Sequence, residues 1–139
     1  VNEKALEGNI SLLTAQVEAH PETTFKFFFS PYSMLWWDNA YRTGERDAVI
    51  YNEKQAIKTL LAYDNVEIYF YQDDKDTITN LDNYMDMIHF SKDINHQIYE
   101  KLTKGEGRLT LENYEKRLDE MYVLSEEIVK TEILRYYGG

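Results

Sequence analysis

The 139-residue sequence contains no cysteine. That excludes disulfides, thiolate metal ligands and a cysteine nucleophile, and it leaves the redox compartment open. Cationic side chains are scarce: 15 lysines and arginines stand against 25 aspartates and glutamates, for a formal net charge of -10. Binding to a nucleic-acid backbone depends on cationic side chains displacing counterions. No Lys/Arg cluster offsets the acidic balance, so nucleic acid is not an expected partner. No apolar run approaches the roughly 20 residues that span a bilayer. The chain opens Val1-Asn2-Glu3-Lys4, with neither an initiator methionine nor a charged-then-apolar leader. This reads as processing or truncation upstream.

What is present is apolar and aromatic. At 43% hydrophobic, the chain can bury one modest core, which predicts one domain. Twelve tyrosines, six phenylalanines and two tryptophans give large buried area per residue. They also suit a carbohydrate or lipid surface, although packing is the simpler reading.

Periodicity divides the chain into alternating elements. Leu6, Ile10, Leu13 and Val17 share one helical face, and that helix stops before His20-Pro21, where proline disfavours helical geometry in the residue preceding it. Phe25-Lys26-Phe27-Phe28-Phe29 is a short apolar run closed by Ser30-Pro31, the pattern of a strand covered on both faces. Residues 30–51 read as a long loop or broken helix containing Trp36-Trp37. A helix follows, with Asn52 as N-cap, Gln55 in capping-box spacing, and Ala56, Ile57, Leu60 and Leu61 on its apolar face. Val66 to Tyr71, β-branched and aromatic, predicts a second strand. The crossovers are long enough for parallel pairing.

Beyond the second strand, Gln72 to Asn83 reads as a polar loop. Ser91 caps a helix in which Ile94, Ile98 and Leu102 repeat every four residues. Gly105 and Gly107 break the chain. A last long helix is predicted from about Leu111 to Tyr136, with Thr110 as N-cap and Leu109 and Tyr114 spaced as a hydrophobic staple. Two strands are too few for a parallel sheet, which usually has about five, so the chain reads as part of a larger domain.

One constellation carries chemistry. Asp86 and His89 lie three residues apart at a strand–loop–helix junction, close enough for a carboxylate to hold one imidazole nitrogen and leave the other as a general base. Open α/β sheets place their sites at such junctions, beyond the C-terminal ends of the strands. Other candidates offer less. His20 and His96 read as structural or solvated. Asp82, Asp86 and His89 lack a second histidine at ligand spacing, so no metal and no cofactor is expected. Asp73-Asp74-Lys75-Asp76 lacks the glycine and glutamate of a calcium loop and reads as solvated. Tyr32, Trp36 and Trp37, with Tyr41, could form an aromatic platform for a sugar or acyl chain at the mouth of the site, or could pack beneath a long loop.

The blocks Phe27-Phe28-Phe29-Ser30-Pro31-Tyr32-Ser33 and Asn83-Tyr84-Met85-Asp86-Met87-Ile88-His89-Phe90-Ser91, separated by a helix and the strand at Val66, resemble the second half of SGNH (GDSL-like) hydrolases. The likeness is to bacterial members that modify cell-envelope polymers. It implies an α/β fold with a partial flavodoxin-like parallel sheet flanked by helices. Residues 1–104 would form the C-terminal half of the domain, and residues 105–139 a helical extension. The resemblance makes His89 the general base and Asp86 its orienting partner in a serine esterase or O-acyltransferase. The substrate would be an acylated carbohydrate or cell-envelope polymer, and the setting extracytoplasmic or membrane-associated. No glycine-flanked turn of the nucleophile type surrounds Ser11, Ser30, Ser33, Ser91 or Ser125. The serine would therefore come from a missing N-terminal half or a swapped homo-oligomer. The alternative is a non-catalytic relative that binds a glycan or lipid polymer, or an interaction module.

Overall fold

The computed structural model describes residues 1–138; Gly139, the last residue of the expected extension, lies outside them. Strand β1 (Phe25–Phe29) pairs in parallel with β2 (Val66–Phe70), from Phe25 opposite Val66 to Phe29 opposite Phe70. Between them run helices α2 (Met34–Thr43) and α3 (Arg46–Leu60), and before them α1 (Glu3–Ala19). Side chains alternate across a strand. Phe25, Phe27 and Phe29 therefore join Val66, Ile68 and Phe70 on one face, packed against Val17, Met34, Trp37 and Ile57. On the other face, Tyr69 and Tyr71 meet Ile94 and Ile98 of α5 (Lys92–Lys104).

The sheet is mixed rather than purely parallel. A short third strand, β3 (Arg108–Leu109), pairs antiparallel with β2 on the edge away from β1. Gly105 and Gly107, expected only to break the chain, make this reversal. Gly107 has φ of 80°, and a Cβ there would lie 2.8 Å from Tyr71 Cε1 and 3.2 Å from the Phe70 carbonyl oxygen. Only glycine allows that approach. Along the other edge of the sheet, β1 has no further strand beside it among the described residues. Phe25 N–H donates to Asn65 O and Phe29 O accepts from Tyr71 N–H, so the main-chain groups of Lys26 and Phe28 point away from β2.

Three helical expectations need correction. Residues 30–51 hold α2 and the first turns of α3, and Asn52 lies inside α3 rather than capping it. The polar signature misled because the charged Arg46 is itself buried, its guanidinium 3.9 Å from the centre of the Tyr122 ring. The expected polar loop at 72–83 begins with fully buried Gln72 and contains helix α4 (Lys75–Thr79). Two aspartates of its acidic run are paired rather than solvated, while Asp76 is exposed: Asp73 binds Arg117, and Asp74 caps α4 through Thr77 N and pairs with Lys101 at 2.9 Å. The last helix starts at Tyr114, not Leu111, because Asn113 folds back to accept from Thr110 N–H at 2.8 Å. It runs as α6 (Tyr114–Ile128), a π turn (Val129–Ile133) and α7 (Leu134–Tyr137). Leu109, Tyr114, Leu118, Met121, Ile128 and Ile133 share one buried cluster with Val17 and Ile57, so the extension packs into the same core as the sheet.

Arg117 ties that extension to the sheet. Its guanidinium donates to Phe70 O (3.1 Å), to Gly107 O (3.2 Å) and to both oxygens of Asp73 (2.9 and 3.0 Å), above the Phe70 ring. The last carbonyl of β2, the carbonyl of Gly107 (which also accepts from Phe70 N–H) and a carboxylate converge on one cation, and hydrogen bonds to charged groups contribute more than neutral ones. Arg117→Met is expected to lower stability by about 2 kcal/mol, and the thermal midpoint by roughly 5–10 °C. A melting curve with an unchanged midpoint would show that the clamp contributes nothing.

Candidate active site

The loop between α4 and α5 builds the candidate site from short-range bonds. Tyr84 and Phe90 form an antiparallel bridge. Met85 N–H donates to His89 O at 2.8 Å, and Ser91 N–H to Asn83 O at 2.7 Å. The bridge closes a tight turn over residues 85–89. Ser91 then caps α5 by accepting from Ile94 N–H, as its sequence position predicts.

Inside the turn, Asp86 and His89 are brought together. His89 Nδ1 lies 2.5 Å from Asp86 Oδ2, while Asp86 Oδ1 accepts from the backbone N–H groups of Ile88 (2.8 Å) and His89 (2.7 Å). Three donors on one carboxylate favour its charged form. The His89 side-chain bond is the largest cause and the two backbone bonds come next, together holding the Asp86 carboxyl down at about 2. The carboxylate is thus an acceptor at neutral pH, so the proton of the contact sits on Nδ1. Nε2 is left as the basic nitrogen.

Two long-range contacts place this turn beyond the C-terminal end of β1. Ser33, fully buried, donates both its backbone N–H (3.1 Å) and its Oγ–H (2.8 Å) to the carbonyl of Met87. Tyr84 donates its hydroxyl to Pro31 O at 2.6 Å. In the sequence Ser33 stands among the serines without a nucleophile turn, and neither it nor Tyr84 is marked as an anchor. Their role here is to hold the turn, and the Ser30-Pro31-Tyr32-Ser33 block following the strand was the available signal.

The expected aromatic platform is divided. Tyr32 and Trp36 contact each other at 4.9 Å between ring centres, both part-exposed. Trp37 is a core residue with no exposed surface and cannot touch a substrate. It falls on the inner face of α2 with Met34 and Ala40.

The pair itself is open to solvent, with side-chain exposures of 65% for His89 and 52% for Asp86. Two surface clefts, of about 640 and 520 Å3, lie along α6 and between α1 and α3, and neither includes Asp86 or His89. Among the described residues no group of three His, Asp or Glu side chains is placed to hold a metal ion, and no helix is long and apolar enough to cross a membrane. His20 and His96 are exposed, each beside a glutamate at 3.5 Å.

The Asp86 carboxyl has a testable signature. Its depressed value means that its stabilising contribution is present above the ordinary carboxylate range and is lost as pH falls through about 2. By carboxyl NMR titration, His89→Ala is expected to bring Asp86 back toward 3.8. Ser33→Ala should shift it in the same direction by a smaller amount, because the turn loosens. An Asp86 titration unmoved by His89→Ala would mean that the contact does not persist in solution.

Comparison with known proteins adds no relative to this geometry: no family model, no curated protein and no solved structure matches the chain.

Proposed function

We propose that this chain supplies the base half of a serine esterase or O-acyltransferase site. The reading rests on one observation: an imidazole whose Nδ1 is held by an ionised carboxylate, with Nε2 lacking a partner, beyond the C-terminal end of a parallel strand. In the reaction, Nε2 of His89 takes the proton as a serine Oγ attacks the acyl carbon. The same nitrogen then returns the proton to the departing alcohol oxygen, and Asp86 stabilises the imidazolium in between. Water or a sugar hydroxyl completes the cycle by attacking the acyl-serine.

The serine and the oxyanion donors belong, in this reading, to polypeptide outside these residues, either an N-terminal half of the same domain or a swapped copy. Two features support that. The Asp86–His89 pair has no wall opposite it, and the unpaired main-chain groups of Lys26 and Phe28 offer a further strand its ladder. A strand added there would extend the parallel pair toward a flavodoxin-like sheet of the SGNH type. The acidic chain, at -10, favours an uncharged or cationic acylated carbohydrate over a polyanionic polymer. Tyr32 and Trp36 are the aromatic contacts available to it.

The 139 residues alone are expected to show no turnover of a p-nitrophenyl ester. Activity that a serine-reactive phosphonate abolishes would place the nucleophile within this chain and overturn the division proposed. In the complete protein, His89→Ala should lower kcat at least about a hundredfold, the scale of losing a general base. Full activity in that variant would remove His89 from the mechanism and favour a binding role.

A further inference from the structure

Away from the Asp86–His89 turn, a carboxyl group is buried without a cation. Glu53 lies on α3 and faces Gln72, the fully buried residue two positions beyond the end of β2. Gln72 Nε2 donates to Glu53 Oε1 at 2.6 Å. The remaining oxygens, Glu53 Oε2 and Gln72 Oε1, are both buried and both lack a partner. Part of the Glu53 residue reaches solvent, but Oε2 does not.

Several charged groups on the surrounding elements are engaged with other partners. Lys54 on α3 binds Asp119 of α6, and Arg46 stacks on Tyr122 near Glu126. Arg117 of α6 is taken by Asp73. On α2, Asp38 and Arg42 pair with each other, and on α1, Glu18 accepts from Tyr63. Among the described residues no lysine or arginine forms an ion pair with Glu53, whose side-chain partner is the neutral Gln72, and an isolated buried charge is very costly.

We propose that Glu53 holds a proton in the folded protein and forms a doubly hydrogen-bonded ring with Gln72, a latch that fastens the C-terminal end of β2 to α3 and opens when the proton leaves. A proton on Oε2 supplies the one donor this site lacks. The acid O–H then donates to Gln72 Oε1, while the amide N–H donates to Glu53 Oε1, so both orphaned oxygens are satisfied at once. Burial pushes the carboxyl up to about 7, against a smaller lowering by the Gln72 bond. The latch is therefore poised near neutral pH and fastens the segment that leads into the candidate site. It stands whether or not Asp86 and His89 are catalytic.

The sign of the effect follows from proton counting. Between the ordinary value of 4.5 and about 7, the folded chain keeps a proton that the unfolded chain has released, so stability falls as pH rises through that interval and then levels. The folding equilibrium constant is expected to drop on the order of a hundredfold across it. Glu53→Gln replaces the acid–amide ring with an amide–amide ring and should remove this component of the pH profile. In the wild-type chain, carboxyl carbon NMR and infrared spectroscopy should show a protonated carboxylic acid at about pH 6 that ionises by about pH 9. Absence of that signal in the wild type overturns the proposal even if the variant does not fold. So does a pH profile left unchanged by Glu53→Gln.

Discussion

Parallel, in-register pairing of β1 with β2 is the constraint from which the other positions follow. Two parallel strands cannot be joined by a tight turn, so the chain must leave the sheet and return, and α2 and α3 are that excursion. Both strands consequently finish at the same end of the sheet, its C-terminal edge. Two segments depart there, Ser30 to Ser33 after β1 and the residues from Gln72 after β2. Ser33 meets Met87, and Tyr84 meets Pro31, because the ladder has already put their parent strands side by side. The candidate site is a consequence of that shared edge.

Strand ends also leave carbonyls that must find donors once buried, and this edge is where the few cations and hydroxyls are spent. Arg117 takes Phe70 O and Gly107 O, Tyr84 takes Pro31 O, and Ser33 takes Met87 O. Lys101 and Arg117 neutralise Asp74 and Asp73 next to them. A chain this acidic could not afford to leave those aspartates unpaired beside one another. The scarcity of lysine and arginine is thus compounded by placement: several of the cations present are committed to holding the fold.

Legibility in the sequence tracked the range of the interaction. The two main strands, the α5 helix with its Ser91 cap, and the meeting of Asp86 with His89 were all readable, because each is specified within a few residues. Elements whose polar residues are buried by distant partners were not. Arg46 concealed the start of α3 because Tyr122, from another helix, covers it. Asp73 and Asp74 looked solvated because Arg117 and Lys101 lie far along the chain. Strand β3 escaped because two residues carry no alternation to detect, and only the register with Ile68 and Tyr69 defines it. Trp37 was grouped with Trp36 by adjacency, although consecutive helical positions point roughly a quarter-turn apart. One ring is consequently in the core while its neighbour reaches the surface.

The same distinction separates two properties of the Asp86–His89 pair. Which nitrogen is basic is decided inside the turn, where one carboxylate oxygen is filled by two backbone N–H groups and the other by Nδ1. That arrangement would form wherever such a turn was placed. Where the turn sits on the fold is decided outside it, by the double donation of Ser33 to a carbonyl two residues before His89. Ser33 is fully buried, so its N–H and hydroxyl need an acceptor, and the Met87 carbonyl, 54 residues away in sequence, supplies it. The local bonds fix the tautomer, and the distant ones fix the turn against the end of β1. In the acyl-transfer reading proposed above, that anchoring would keep His89 in a constant position relative to the end of β1, where a serine from outside these residues would have to arrive.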